Sequence, residues 1–118
     1  MTRTERIETL KKALAALEAA IAQTEAALRM AANPNDILRL TSQVADLKAQ
    51  RQSLRFQLAN LEAAEGEIMA LSPESTERLK VLAGDMDKAI LDRTVAAATI
   101  DTVNDLLGKV SEIRKTLG

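Results

Sequence analysis

An all-α fold follows from composition, from where the helix stops fall, and from the spacing of the apolar residues. Alanine (21 residues) and leucine (17) fill almost a third of the 118-residue chain. Both lose little side-chain freedom in a helix. Four glycines and two prolines are too few for a protein of short strands and turns. The apolar residues recur at alternating steps of three and four. That spacing holds one stripe against a neighbour when helices supercoil. The expected architecture is an antiparallel coiled-coil hairpin plus a third long helix, one helical domain over residues 1–118, as a three-helix bundle or a helix-exchanging dimer.

The first helix is expected over about residues 3–32, with Thr2 and Glu5 at the spacing of a capping box. Its seam reads Ile7, Leu10, Leu14, Leu17, Ile21, Thr24, Leu28 and Ala31, interrupted only by Thr24. The stop at Ala32-Asn33-Pro34 puts a capping side chain directly before a proline, as at an N-cap and first helical position. A second helix is expected over 34–70, with seam residues Ile37, Leu40, Val44, Leu47, Arg51, Leu54, Leu58, Leu61, Glu65 and Ile68. The link between the two is short enough only for a hairpin.

The hairpin register can be worked out from the numbering. With the turn near residue 34, seam partners have numbers adding to about 68, so Leu28 faces Leu40 and Ile21 faces Leu47. On one flank the pairs Glu25–Lys48, Glu18–Arg55 and Lys11–Glu62 are all opposite in sign. The other flank brings Ala13, Ala20 and Ala27 toward Gln43, Gln50, Gln57 and Ala64, an uncharged strip that a further helix can approach closely. That helix is expected over 73–116 after the Ser72-Pro73 stop. Its stripe runs through Leu79, Leu82, Met86, Ala89, Arg93, Ala96, Ile100, Val103, Leu107, Val110 and Leu117, widened by Leu106 and Ile113. Glycine costs about 1 kcal/mol against alanine inside a helix, so a bend or split is expected near Gly84, with Asp85 able to cap a fresh start.

Composition excludes several function classes. With no histidine and no cysteine, the chain has no imidazole base, thiol nucleophile or thiolate zinc site. The carboxylate pairs Glu62/Glu65, Glu74/Glu77 and Asp101/Asp105 lack the histidine of a bundle metal site. Asp85-x-Asp87 lacks the remainder of a calcium loop. No glycine-rich phosphate loop is present, so no catalytic residue, cofactor or metal is assigned. Lys11, Lys12, Lys48, Arg51 and Arg55 are interleaved with Glu18 and Glu62 at a net charge of −1. That pattern reads as hairpin salt bridges and not as the continuous basic footprint that phosphate backbones require. The longest run free of charged residues is the seven from Thr94 to Ile100, too short to span a bilayer. MTRTERIETLKK does not read as a signal peptide, so a cytoplasmic location is expected.

Three features stand out as candidates for contact. Arg51 occupies a seam position opposite Leu17. It either snorkels its head to water or Glu18, or specifies register at a cost in stability. Phe56, the only aromatic residue, falls on the outermost position of the second helix. Leu91, Val95 and Ala98 form a second stripe on the third helix, to be buried if that helix rotates after Gly84 and otherwise available to a partner. The expected function is a non-enzymatic protein–protein interaction or assembly module (an adaptor, a scaffold or a secretion- or phage-type accessory coiled coil) with an unidentified protein partner and self-association, a dimer favoured. Two other classes fit less well. One is a small acidic inhibitor or immunity-type protein acting through Glu62, Glu65, Glu67, Glu74 and Glu77. The other is an amphipathic coat on a lipid or granule surface, for which the polar faces carry mixed charge and few bulky anchors.

Overall fold

A computed structural model of the chain describes residues 2–63, 71–88 and 96–117. These form four helices: α1 (Arg3–Met30), α2 (Pro34–Ala63), α3 (Pro73–Asp87) and α4 (Ala96–Leu117). The described residues contain no strand.

The three expected caps are present. Thr2 Oγ1 accepts the Glu5 N–H at 3.1 Å, while Glu5 Oε1 accepts the Thr2 N–H at 3.3 Å, closing the capping box. Asn33 Oδ1 accepts the Asn35 N–H at 2.8 Å. Ser72 Oγ accepts the Ser75 N–H at 3.1 Å, with Pro73 beginning α3. Each bond satisfies one of the backbone donors that a helix start leaves without an intrahelical partner.

The hairpin register also holds. Arg55 Nη2 lies 2.6 Å from Glu18 Oε1, Lys48 Nζ 3.8 Å from Glu25 Oε1, and Lys11 Nζ 3.9 Å from Glu62 Oε1. All three expected pairs form, and α1 and α2 are antiparallel. Thr24, fully buried at the seam interruption, donates its hydroxyl to its own helix at Ala20 O, 2.6 Å away. A polar side chain there leaves no lone donor in the core.

The third helix expected over 73–116, with a bend or split near Gly84, is two helices, α3 ending at Asp87 and α4 beginning at Ala96. Gly84 is not the break: it lies inside α3, and Lys88 forms the C-cap, its N–H donating to Gly84 O at 3.1 Å. Asp85 therefore starts no new helix. The split lets two apolar faces of different phase enter one core. Leu79, Leu82, Ala83 and Met86 of α3 are buried, as are Ile100, Val103, Leu106, Val110 and Ile113 of α4. On α4 it is Leu106, not Leu107, that is fully inside; Leu107 is half-buried at the margin. Ala89 and Arg93 of the expected stripe lie outside the described residues, as do Glu65 and Ile68 of the second seam.

The packing gives α2 a corner position. It lies against α1 and α4, whereas α3 lies against α1 and α4 on the other side. The main core draws Leu10, Leu17 and Ile21 from α1, Leu47 and Leu54 from α2, and the buried faces of α3 and α4. A smaller cluster of Ala27, Leu40 and Ile100 closes the end near the hairpin turn. Ala13, Ala20 and Ala27 are at most 3% exposed. The small-residue flank is thus where the added helices approach, because alanine lets helix axes come close.

Candidate interaction surface

The inner and lateral faces of α2 are committed to holding the bundle. Gln43, buried, donates from Nε2 to Ile100 O at 2.7 Å and to Asn104 Oδ1 at 3.1 Å. One heptad on, Arg114 Nη1 donates to Gln50 Oε1 at 2.7 Å. A further heptad on, Gln57 Nε2 donates to Arg114 O at 3.2 Å. The contacts advance along both helices together, so α4 runs in the same direction as α2. Arg114 O is among the final carbonyls of α4 that lack an intrahelical donor, and Gln57 supplies one. The flank of glutamines that reads in the sequence as merely uncharged is a ladder fastening α4 to the hairpin.

The opposite face of α2 is covered by none of the described residues. Positions 35, 38, 42, 45, 49, 52, 56, 59 and 63 follow an unbroken alternation of fours and threes, and every one is exposed. None carries a charge, although 28% of the chain is charged. Phe56 lies here with 67% of its surface exposed, and Leu38 with 69%. The structure therefore leaves Phe56 on the outside, where its heptad position puts it, and adds Leu38 to the same face. A search for a second, offset heptad on α2 finds the whole face. Met30, 66% exposed at the end of α1, and Ile37, 38% exposed, extend the apolar character near the hairpin turn.

Arg51 is half-buried and lines a shallow groove with Glu18, Ile21, Ala22, Glu25, Arg29 and Arg55. Its seam partner Leu17 is fully buried. Glu18 is bonded to Arg55 and not to Arg51, so the expected alternative of an Arg51–Glu18 contact is not the one formed. Leu91 and Val95 lie outside the described residues. Ala98 belongs to α4, but its side-chain environment is outside the described set as well. These three are not brought together with Phe56 by anything described.

The other candidate sites are dispersed. Within the acidic group, Glu62 is paired with Lys11, while Glu74 and Glu77 line an open groove on α3 with Pro73, Arg78 and Val81; Glu65 and Glu67 lie outside the described residues. Asp85 is exposed inside α3 and not in a loop. No group of three or more acidic side chains that could hold a metal ion occurs among the described residues. The basic residues Lys11, Lys48 and Arg55 are all in ion pairs. No helix among the described residues is long and apolar enough to cross a membrane.

The resolved shifts in acidity belong to surface fastenings. The backbone and side-chain hydrogen bonds from Thr2 hold the Glu5 carboxyl below the usual range, with Lys80 adding to the effect at 3.9 Å. The paired hydrogen bonds between Arg78 and Glu112, at 2.9 and 3.1 Å, lower the Glu112 carboxyl and raise the Arg78 guanidinium. They tie α3 to α4. No family model matches the chain, and neither a curated protein nor a solved structure matches it.

Proposed function

We propose that this protein is a non-enzymatic protein–protein interaction or assembly module whose working surface is the outer face of α2. The observation that carries this reading is Phe56, two-thirds exposed on an uncharged helix face. Water-facing phenyl and leucyl side chains gain nothing for the isolated bundle. At a protein contact they are the kind of anchor that dominates binding energy. The helix that bears them is fixed from behind by Leu47, Leu54 and the glutamine ladder, which presents them on a rigid support.

The test separates folding from association. Phe56→Ala should change the unfolding free energy by no more than about 0.5 kcal/mol, as for an ordinary surface substitution. Association with the protein partner recovered from the native cell should fall at least tenfold. Retained association with Phe56→Ala and with Leu38→Ala would remove the outer face of α2 from the function.

A further inference from the structure

We infer that the outer face of α2 is the interface of an antiparallel homodimer, in which two α2 helices from two copies of this chain cross at the level of residue 47. The inference deepens the proposed function by naming the partner as a second copy. It rests on the pattern of the exposed face. A two-fold interface must be self-complementary: if residue i meets residue j of the partner, then j meets i. In an antiparallel pair centred at 47, facing residues have numbers adding to 94. Leu38 then meets Phe56 of the partner, Ser42 meets Gln52, and Ala45 meets Ala49, each twice over. Large apolar side chains fall against large apolar ones at both ends. Polar falls against polar, and alanine against alanine at the centre, where helices can approach to about 8 Å. All six residues are exposed in the isolated bundle.

Charge permits the same register. On one rim of this seam Arg39 comes beside the partner's Asn60 and Asp46 beside the partner's Ser53. On the other, Thr41 comes beside the partner's Arg55 and Lys48 beside the partner's Lys48. That one like-charge pair is offset within each copy by Glu25, 3.8 Å from the Lys48 ammonium. The whole chain carries a net charge of −1, so two copies repel each other little.

Area sets the strength. The face from residue 35 to 63 is about 42 Å long, and a helix is about 10–12 Å across. Two copies laid together would cover on the order of 1,000 Å² in all, at the lower edge for a specific interface. The dimer is therefore expected to dissociate on dilution.

The full chain serves for the test, followed by light scattering or interference-optics sedimentation because it has no Trp or Tyr. Its mass should approach twice 12.8 kDa at high concentration and fall to 12.8 kDa on dilution. The double variants Ala45→Glu with Ala49→Glu, and Ala45→Lys with Ala49→Lys, place good helix formers at exposed positions, so the fold survives. Each alone should be monomeric, and an equal mixture of the two should regain the doubled mass. Because the chain has no cysteine, orientation can be read directly. Ser42→Cys mixed with Gln52→Cys should cross-link with a short bismaleimide, while each alone, separated by about 15 Å along the axis, should do so no more than a Glu8→Cys control. A wild-type mass of 12.8 kDa at every concentration overturns the inference, as does a dimer that persists in either double variant. Cross-linking of Ser42→Cys alone overturns the antiparallel register. A monomeric chain whose Phe56→Ala variant loses a different native partner would end the homodimer and leave the interaction role standing. A dimer abolished by the charge variants with no effect of Phe56→Ala on any native partner would do the reverse.

Discussion

Arg51 and Leu54 lie one turn apart on α2, and the difference between them shows how one substitution pattern can be read two ways. Leu54 is fully buried, and Arg51 is half-buried in a groove with Glu18, Glu25 and two further arginines. Replacing Arg51 by leucine keeps the apolar stem and removes a guanidinium held at the seam. The expected result is a gain of about 1 kcal/mol, seen as a rise of about 4 °C in melting temperature, with a less uniform register. A fall in melting temperature at unchanged mass would mean the guanidinium is a net stabiliser. The ion pairs can be graded in the same spirit. Glu18–Arg55 at 2.6 Å should couple by about 0.2–1 kcal/mol in a double-mutant cycle at low salt, because both side chains are half-exposed. Lys11–Glu62 at 3.9 Å should couple by less. These pairs were legible in the sequence because charge sign and heptad position both enter the register. Where the Arg51 guanidinium goes was not legible, since a seam position leaves its long stem free to carry the head to water or to either neighbouring carboxylate.

At the scale of the element, the glutamine ladder has consequences that its composition does not announce. Gln43 is 5% exposed and makes its two hydrogen bonds to α4. Gln43→Ala should cost about 1–3 kcal/mol, since it removes a buried donor and takes a hydrogen bond from the buried Ile100 O. Gln57→Ala, half-buried with one longer bond, should cost under about 1 kcal/mol; chemical denaturation of both variants checks the ranking. An amide at a heptad flank names no acceptor, so the sequence marked a groove for a third helix without revealing how it is fastened. Helix starts were the most legible feature, because Thr2, Asn33 and Ser72 act on donors only two or three residues away. The end of α3 was the least legible. Gly84 looked like the break, but glycine is tolerated in a helix at a cost of about 1 kcal/mol, and burial of Leu82, Ala83 and Met86 around it offsets that cost. The helix continues to Asp87 as a result.

The molecule as a whole is an elongated bundle, 52 × 25 × 17 Å, with ion pairs bridging its helices at the surface. Stability should fall in acid for a stated reason. Glu5 and Glu112 both have carboxyls held below their ordinary range in the folded chain, by Thr2 and Arg78 respectively. Their contribution is complete above the unfolded carboxylate pKa and is lost as the pH falls through the lower folded values. Thr2→Ala should flatten the part of that acid dependence due to Glu5, measurable as melting temperature against pH. If the slope below pH 5 were unchanged in Thr2→Ala, the capping box would not be the source of the shift. The fold class was visible at this scale from composition, helix stops and apolar spacing together, whereas the outer seam of α2 was not. Its alanines, serine and glutamine read one at a time as ordinary surface, and only their common phase with Leu38 and Phe56 separates them from it.

Everything proposed for this protein depends on the rotational phase of α2: Leu54 facing in, Phe56 facing out. The most direct measurement is the unfolding free energy of Leu54→Ala and Phe56→Ala, compared at concentrations low enough that association does not contribute. Leu54→Ala should lose about 2–5 kcal/mol, the sum of lost transfer energy and a cavity, and Phe56→Ala no more than about 0.5 kcal/mol. A loss of 3 kcal/mol or more in Phe56→Ala would place the ring inside the bundle and contradict the account.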